Sequence, residues 1–263
     1  MDDVATAEPV DRRPPPPQQR DPVGSFMRVL GELMVTAGAV VLLFVVYELY
    51  VTDLLSDRAQ DGLTRELRDD WGAAPVVAAP PVPIGDVPVG EAFAFLHVPR
   101  LGADYARAIV EGTSQEELAQ GPGHYVDTAM PGEPGNFAVA GHRVGKGSPF
   151  LDLDRLRPGD PIVVETADAW YEYRVLGDPQ TGDLSVAVDG VPGRQVVDPS
   201  AVGVIAPVPG QPGAAPAGSY LTLTTCHPKF SAAQRLVVHA VLAGPPLSRA
   251  ELPDGPAALA GGG

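Results

Sequence analysis

The stretch Leu221-Thr222-Leu223-Thr224-Thr225-Cys226-His227-Pro228 alternates apolar and polar side chains and carries the only cysteine of the 263-residue chain. Period-two alternation with β-branched residues marks a strand with one buried face. It places Cys226 at the end of that strand and its neighbour His227 on the opposite face. A single cysteine cannot close an intramolecular disulfide. A lone thiol at a strand end is a candidate nucleophile. The competing reading is a buried structural thiol, because free cysteines pack as small hydrophobes.

Working outward, further short strands appear. Residues 94–98 end at Pro99, residues 105–110 follow, and the buried run 137–140 precedes Gly141. Residues 162–166 and 170–176, joined by a short connection with Asp168, read as a hairpin. Residues 202–205, 219–225 and 236–242 read as strands as well. Ser114 with Glu117 three residues on forms a capping box for a short helix over 114–119, and 150–156 is a second short helical candidate. Residues 177–197, rich in glycine and aspartate, read as a long surface excursion. Many short strands, and helices too short for crossover connections, predict an all-β barrel or sandwich.

Upstream, residues 33–47 are free of charge, and the apolar character resumes after Glu48 through Leu49, Tyr50 and Val51. A stretch of about 20 apolar residues is long enough to span a bilayer, with Tyr47 and Tyr50 as interfacial anchors. The run begins late and no Ala-x-Ala follows it, so it reads as an uncleaved anchor. Arg20 and Arg28 precede it, and the positive-inside rule predicts a cytoplasmic N-terminus and an extracellular domain. The expected organisation is a disordered tail over 1–28, a transmembrane helix over 29–52, a stalk and Pro/Ala-rich linker over 53–89, a folded β domain over 90–243 and a flexible tail over 244–263.

The chain has a formal net charge of -15, and from Asp53 onward it holds 14 basic and 26 acidic side chains. Such a surface repels phosphate backbones and excludes a nucleic-acid role. No CxxC or HExxH spacing supports a metal site, and no Gly-rich phosphate loop is present. No cofactor is expected.

A cysteine that attacks a carbonyl needs its thiolate, and an ordinary thiol has a pKa of about 8.5. A histidine can take the proton and return it to the leaving amine, and a cation or N–H must face the developing oxyanion. His142, just past the strand 137–140 and Gly141, is the candidate acid–base residue. His227 is disfavoured by strand parity, His97 and His239 lie inside candidate strands, and His124 in a glycine-rich turn stays open. Arg235 follows Cys226 by nine residues, a separation that a loop and a returning strand can close. Arg143 and Lys146, beside His142, are alternative cations.

Three segments together resemble the sortase family: 223–228 with Ser231-Ala232-Ala233-Gln234-Arg235 behind it, Asn136-Phe137-Ala138-Val139-Ala140-Gly141-His142-Arg143, and Phe95-Leu96-His97-Val98-Pro99-Arg100-Leu101-Gly102. The Thr-Thr-Cys-His-Pro form, and Gly31-Glu32-Leu33 at the start of the membrane helix, are similar to class E sortases of high-GC Gram-positive bacteria. The resemblance implies a sortase-type closed eight-stranded β-barrel with short helices behind an N-terminal transmembrane helix. It also implies a cysteine transpeptidase that cleaves a Leu-Ala-x-Thr-Gly sorting signal of secreted proteins between Thr and Gly. The acceptor would be a peptidoglycan cross-bridge amine or its lipid-linked precursor. Cys226 is carried over as nucleophile, His142 as acid and base, and Arg235 as stabiliser of substrate and oxyanion. The alternative expectation is a non-catalytic, membrane-tethered peptide-binding domain.

Overall fold

The computed structural model describes residues 22–47, 52–73 and 82–260. The expectations for residues 1–21, for Glu48, Leu49, Tyr50 and Val51, for residues 74–81 of the Pro/Ala-rich linker and for the final glycines lie outside the described residues. The chain divides into two compact units between Val46 and Tyr47.

In the first unit, helix α1 (Pro22–Val46) has 25 residues. Its segment Val23–Val46 contains an 18-residue window of mean hydropathy 2.4, none of it buried, so it is long and apolar enough to cross a membrane. The helix begins before the expected start at residue 29. Its early charges satisfy one another: Arg28 Nε donates to Glu32 Oε1 at 3.1 Å, and Thr36 Oγ1 donates to the Glu32 carbonyl. An i,i+4 pair of this kind supports a helical turn.

The second unit opens with helix α2 (Thr52–Ala73) and continues through β1 (Ala92–His97), β2 (Ala106–Glu111), α3 (Gln115–Gln120), β3 (Gly123–His124), β4 (Gly135–Ala140), β5 (Pro161–Glu165) and β6 (Ala169–Val175). There follow β7 (Ala187–Val188), β8 (Val191–Pro192), β9 (Arg194–Val197), β10 (Ser219–His227), β11 (Gln234–Leu242), β12 (Leu247–Ser248) and α4 (Ala257–Ala260). The strands run in the order β6-β5-β1-β2-β3-β4-β10-β11, and β11 pairs back with β6, which closes an eight-stranded barrel. The β2–β3 and β4–β10 pairs are parallel and the other neighbouring pairs antiparallel, so the barrel is mixed. Strands β12 and β9 add to β6 and β11 from outside the ring.

Parity along the strands decides what faces inward. Leu221 and Leu223 on β10, Leu236 and Val238 on β11, and Phe137 and Val139 on β4 fill the barrel. Each contributes about 1.5–3 kcal/mol by leaving water. Thr222, Thr224 and Cys226 therefore leave β10 on the outer face, as do Arg235 and His239 on β11. The capping box of α3 forms as its sequence predicts, with Ser114 N donating to Glu117 Oε2 at 2.8 Å.

Three local expectations change. Residues Val202–Ile205 form a 3-10 turn, not a strand. Val202 is 73% exposed there, and β9, from within the expected surface excursion, takes the place beside β11 instead. The helical candidate at 150–156 is reduced to a 3-10 turn at Leu153–Arg155. The segment expected to be a stalk is α2, and it lies against the barrel. Leu67 packs on Phe95 and Ala108 with Leu63 and Trp71 beside it, and the Trp71 and Phe95 rings meet edge to face at 5.3 Å. Gln60 completes the docking. Its Nε2 donates to the Ala108 carbonyl at 3.1 Å and its Oε1 accepts the Ala108 N–H at 2.8 Å. β3 is only two residues long, so the edge of β2 is open at Ala108, and the Gln60 amide supplies the missing strand partner.

Candidate active site

The parallel register of β4 and β10 pairs Ala140 with Thr224. His142 and Cys226 stand two residues beyond these partners, on the same outer face. The Gly141 N–H donates to the Thr224 carbonyl at 3.1 Å, and Thr225 Oγ1 donates to the Gly141 carbonyl at 2.8 Å. The chain ahead of the imidazole is thus tied to the chain ahead of the thiol. Gly141 is required for this approach, because a Cβ there would sit 2.6 Å from the Phe150 ring.

His142 and Cys226 line one cleft of about 240 Å³, together with Arg143, Phe230, Ser231 and Ala232. Cys226 is half-buried and carries a free thiol. It is therefore not the buried structural thiol that the sequence also allowed. His142 Nε2 is buried and makes no hydrogen bond among the described residues. Burial, reinforced by the Lys146 ammonium, holds the imidazole below the ordinary histidine range. It is neutral at pH 7 and can accept a proton from a thiol in the same cleft.

The other histidines are accounted for elsewhere. His97 Nε2 lies 2.9 Å from Glu165. His124 is held between Glu111 at 2.6 Å and Thr128 at 2.8 Å. His239 lies between Thr222 and Gln195 at 2.9 Å each, and burial pushes its pKa down to about 4. His227 leaves β10 on the face opposite Cys226, as parity predicts, and its Nδ1 is 2.9 Å from Arg143 Nη1.

The arginines divide the electrostatic work. Arg235 stands directly across from Cys226 in the β10–β11 pair, so the two side chains share a face. Its Nη1 donates to the carbonyls of Ala232 and Gln234 at 3.0 and 3.1 Å, and it does not line the cleft. Nε and Nη2 are not used in these bonds. Arg143, only an alternative in the sequence, is 4% exposed and does line the cleft. Besides His227, it donates to Asp154 Oδ1 at 2.8 Å and to the Cys226 carbonyl at 3.4 Å. Burial alone would push the Asp154 carboxyl up, but backbone hydrogen bonding with the Arg143 and Lys229 charges holds it below its ordinary range.

The loop behind His142 is anchored by a residue the sequence did not single out. Asp53 at the start of α2 accepts the Gly147 N–H at 2.9 Å. Gly145, Lys146, Gly147 and Ser148 all have positive φ, a tight path that needs such an anchor. Only the hydrogen-bonding capacity of an aspartate at a helix start could have pointed to it. Among the described residues no group of three or more His, Cys, Asp or Glu side chains could hold a metal.

The arrangement offers a thiol, a neutral imidazole beside it, and a guanidinium on the same face, which are the parts required for acyl transfer through a thioester. Comparison with known proteins agrees. A sortase-domain family profile matches residues 96–243. The chain is 38% identical over 218 residues to sortase SrtE1 of Streptomyces coelicolor, covering 80% of this chain and 55% of that protein. It is 37% identical over 217 residues to sortase SrtE2 of the same organism, covering 80% and 79%. The chain thus spans about half the length of SrtE1. The solved structure of the SrtF sortase from Corynebacterium diphtheriae matches with a TM-score of 0.60 at 40% identity, covering 70% of this chain and 98% of that one. The chain therefore belongs to the sortase family, with class E sortases among its matched relatives, as its cysteine and histidine segments imply.

Proposed function

We propose that the protein is a membrane-anchored cysteine transpeptidase that cleaves a C-terminal sorting signal of the form Leu-Ala-x-Thr-Gly between Thr and Gly. The observation that carries this reading is the shared cleft of Cys226 and His142, with no hydrogen-bond partner for the buried His142 Nε2 among the described residues. In the first half-reaction the Cys226 sulfur attacks the threonine carbonyl while its proton passes to His142. The threonine–glycine C–N bond then breaks, the proton goes to the glycine amine, and a Cys226 thioester remains. In the second half-reaction an amine of a peptidoglycan cross-bridge or its lipid-linked precursor attacks the thioester. Its proton returns by way of His142 to the thiolate as the new amide forms.

Arg235 is the stabiliser of substrate and oxyanion in this reading. It stands on the right face, across from Cys226, and reaches the oxyanion when its guanidinium turns from the Ala232 and Gln234 carbonyls toward a bound peptide. Phe230, 82% exposed at the rim of the cleft, offers an apolar surface to the signal's leucine. The N-terminus lies in the cytoplasm and the barrel outside, on the strength of Arg20 and Arg28 ahead of the apolar helix.

The test is intact-mass analysis of the full chain in detergent with a Leu-Ala-x-Thr-Gly peptide. The expected product is a thioester on Cys226 that carries the peptide up to threonine and is absent in Cys226→Ala. Peptide binding without any thioester would replace the reading with that of a non-catalytic binding domain.

A further inference from the structure

A second cavity, of about 350 Å³, is lined by Arg100, Arg155, Arg157 and Arg194 with Asp154 as its single carboxylate. Four of the chain's 18 basic side chains thus face one space in a protein of net charge -15. They come from separate elements: Arg100 from the turn after β1, Arg155 and Arg157 from around the 3-10 turn Leu153–Arg155, and Arg194 from β9.

The nearby carboxylates are engaged. Asp154 Oδ1 accepts from Arg143 Nη2 at 2.8 Å. Asp160 takes Nε and Nη2 of Arg100 at 2.8 and 2.7 Å and also the Arg157 N–H. Asp183 accepts from Ser185 N and Oγ. Arg100 is committed to Asp160, but the other three guanidinia are engaged much less. Arg157 makes no side-chain hydrogen bond or ion pair among the described residues. Arg194 gives only Nη1, to the Asp154 carbonyl at 3.0 Å. Arg155 lies 3.7 Å from an Asp152 that Lys229 approaches more closely, at 3.1 Å.

A single carboxylate ligand would satisfy one guanidinium in a bidentate contact. Three guanidinia with free donors, brought to one cavity from separate elements with a single carboxylate in its lining, match a tetrahedral polyanion. The geometry points to a binding site for a phosphate-type anion, best a pyrophosphate group, in the cavity of Arg100, Arg155, Arg157 and Arg194.

The cavity adjoins the catalytic cleft through one ion pair, because Asp154 lines the first and its partner Arg143 lines the second. If the transpeptidase reading holds, on which this assignment of the carrier alone rests, the pyrophosphate belongs to the acceptor that resolves the thioester. The carrier is then either the headgroup of a lipid-linked amine or a soluble pyrophosphate-bearing molecule.

The direct test is calorimetric titration of the full chain in neutral detergent with inorganic pyrophosphate. Saturable binding is expected, weakened about tenfold or more in Arg157→Gln/Arg194→Gln. Arg174→Gln, which removes a charge outside the cavity, should bind as the wild type does. Arg157→Gln alone removes a side chain without internal partners, so it should weaken binding while leaving the melting temperature in place even if the double variant folds poorly. No saturable binding by the wild type, or equal affinity in Arg157→Gln and wild type, would overturn the site.

Nanodiscs of phosphatidylcholine, with and without a polyprenyl pyrophosphate, distinguish the carriers. Reduced affinity for soluble pyrophosphate in the doped discs identifies the lipid, and unchanged affinity identifies a soluble carrier. Cys226→Ala should bind pyrophosphate normally, so this site and the proposed chemistry fail or stand separately.

Discussion

Two polar clusters on the same barrel use similar residues to opposite ends. Around Glu165, at the end of β5, Arg68 from α2 makes a bidentate pair, His97 Nε2 stands 2.9 Å away and Arg249 Nε 3.3 Å away. The Arg68 and Arg249 guanidinia also lie over aromatic rings, at 4.3 Å from Phe95 and 4.8 Å from Trp71. Burial alone would push the Glu165 carboxyl up, and hydrogen bonds from His97 and Arg68 with their charges hold it below its ordinary range. Around Cys226 the histidine has no such partner, and Arg235 turns to main-chain carbonyls. The Arg68 and His97 bonds to Glu165 hold α2 to the barrel. Arg249 Nε there, like Arg143 Nε at the cleft, is buried without a hydrogen bond among the described residues, but only the bare His142 Nε2 lies beside a thiol, where it is available to a substrate. The two histidines of lowered pKa make the same point. His239 is bonded through both ring nitrogens, while His142 Nε2 is not.

The comparison breaks most sharply at the sulfur. Cys226→Ala is expected to abolish peptide cleavage with a melting temperature close to wild type, because the half-buried side chain supports no core; calorimetry and a peptide assay check both halves. Glu165→Ala should do the reverse. Removing one member of a buried ion network typically costs about 3–5 kcal/mol, so urea unfolding should reveal a large stability loss with little change in kcat per folded molecule. The wild-type contribution of Glu165 is present above its unfolded pKa of about 4.3. It is lost as pH falls through the lowered folded value, so the stability gap between wild type and Glu165→Gln should narrow toward acid pH.

Arg143→Gln lies between the two regions in kind, since Arg143 ties the Cys226 strand end to Asp154. Its loss should lower kcat roughly 10–100-fold through misplacement of the sulfur while changing KM less. A fall in stability alone, with kcat intact, would make Arg143 merely structural. The smallest effect is expected at Lys146. Its charge disfavours the His142 imidazolium, so Lys146→Gln should raise the histidine pKa and move the acid limb of the kcat/KM profile to higher pH. An unmoved limb would assign that limb to another group.

Much of the site was legible because strand parity is a local property. The alternation in 221–227 already separates Cys226 from His227, and the strand 137–140 with Gly141 already sets His142 at an end. Arg143 was readable only as a basic neighbour, since its burial depends on Asp154 and His227 from distant parts of the chain. The α2 stripe of Leu63, Leu67 and Trp71 was visible as scattered apolar residues among charges, a pattern that suits an exposed stalk until Phe95 and Ala108 supply a surface. Val202–Ile205 was misread because β-branched residues favour strands only where neighbouring strands bury them. The basic cavity could not be anticipated, because its four arginines are spread over 95 positions of sequence.

Taken by itself, the sequence determined an apolar N-terminal helix, a set of short strands, and a cysteine and a histidine each at a strand end, because periodicity and side-chain alternation act within a few residues. Tertiary structure alone decided that β4 and β10 run parallel and in the register that sets His142 beside Cys226, that Gln60 and Glu165 hold α2 to the barrel, and that Arg143 braces the cleft. Those outcomes depend on burial and on hydrogen bonds between segments far apart in the chain, and the free energy of such contacts exists only once the barrel has closed.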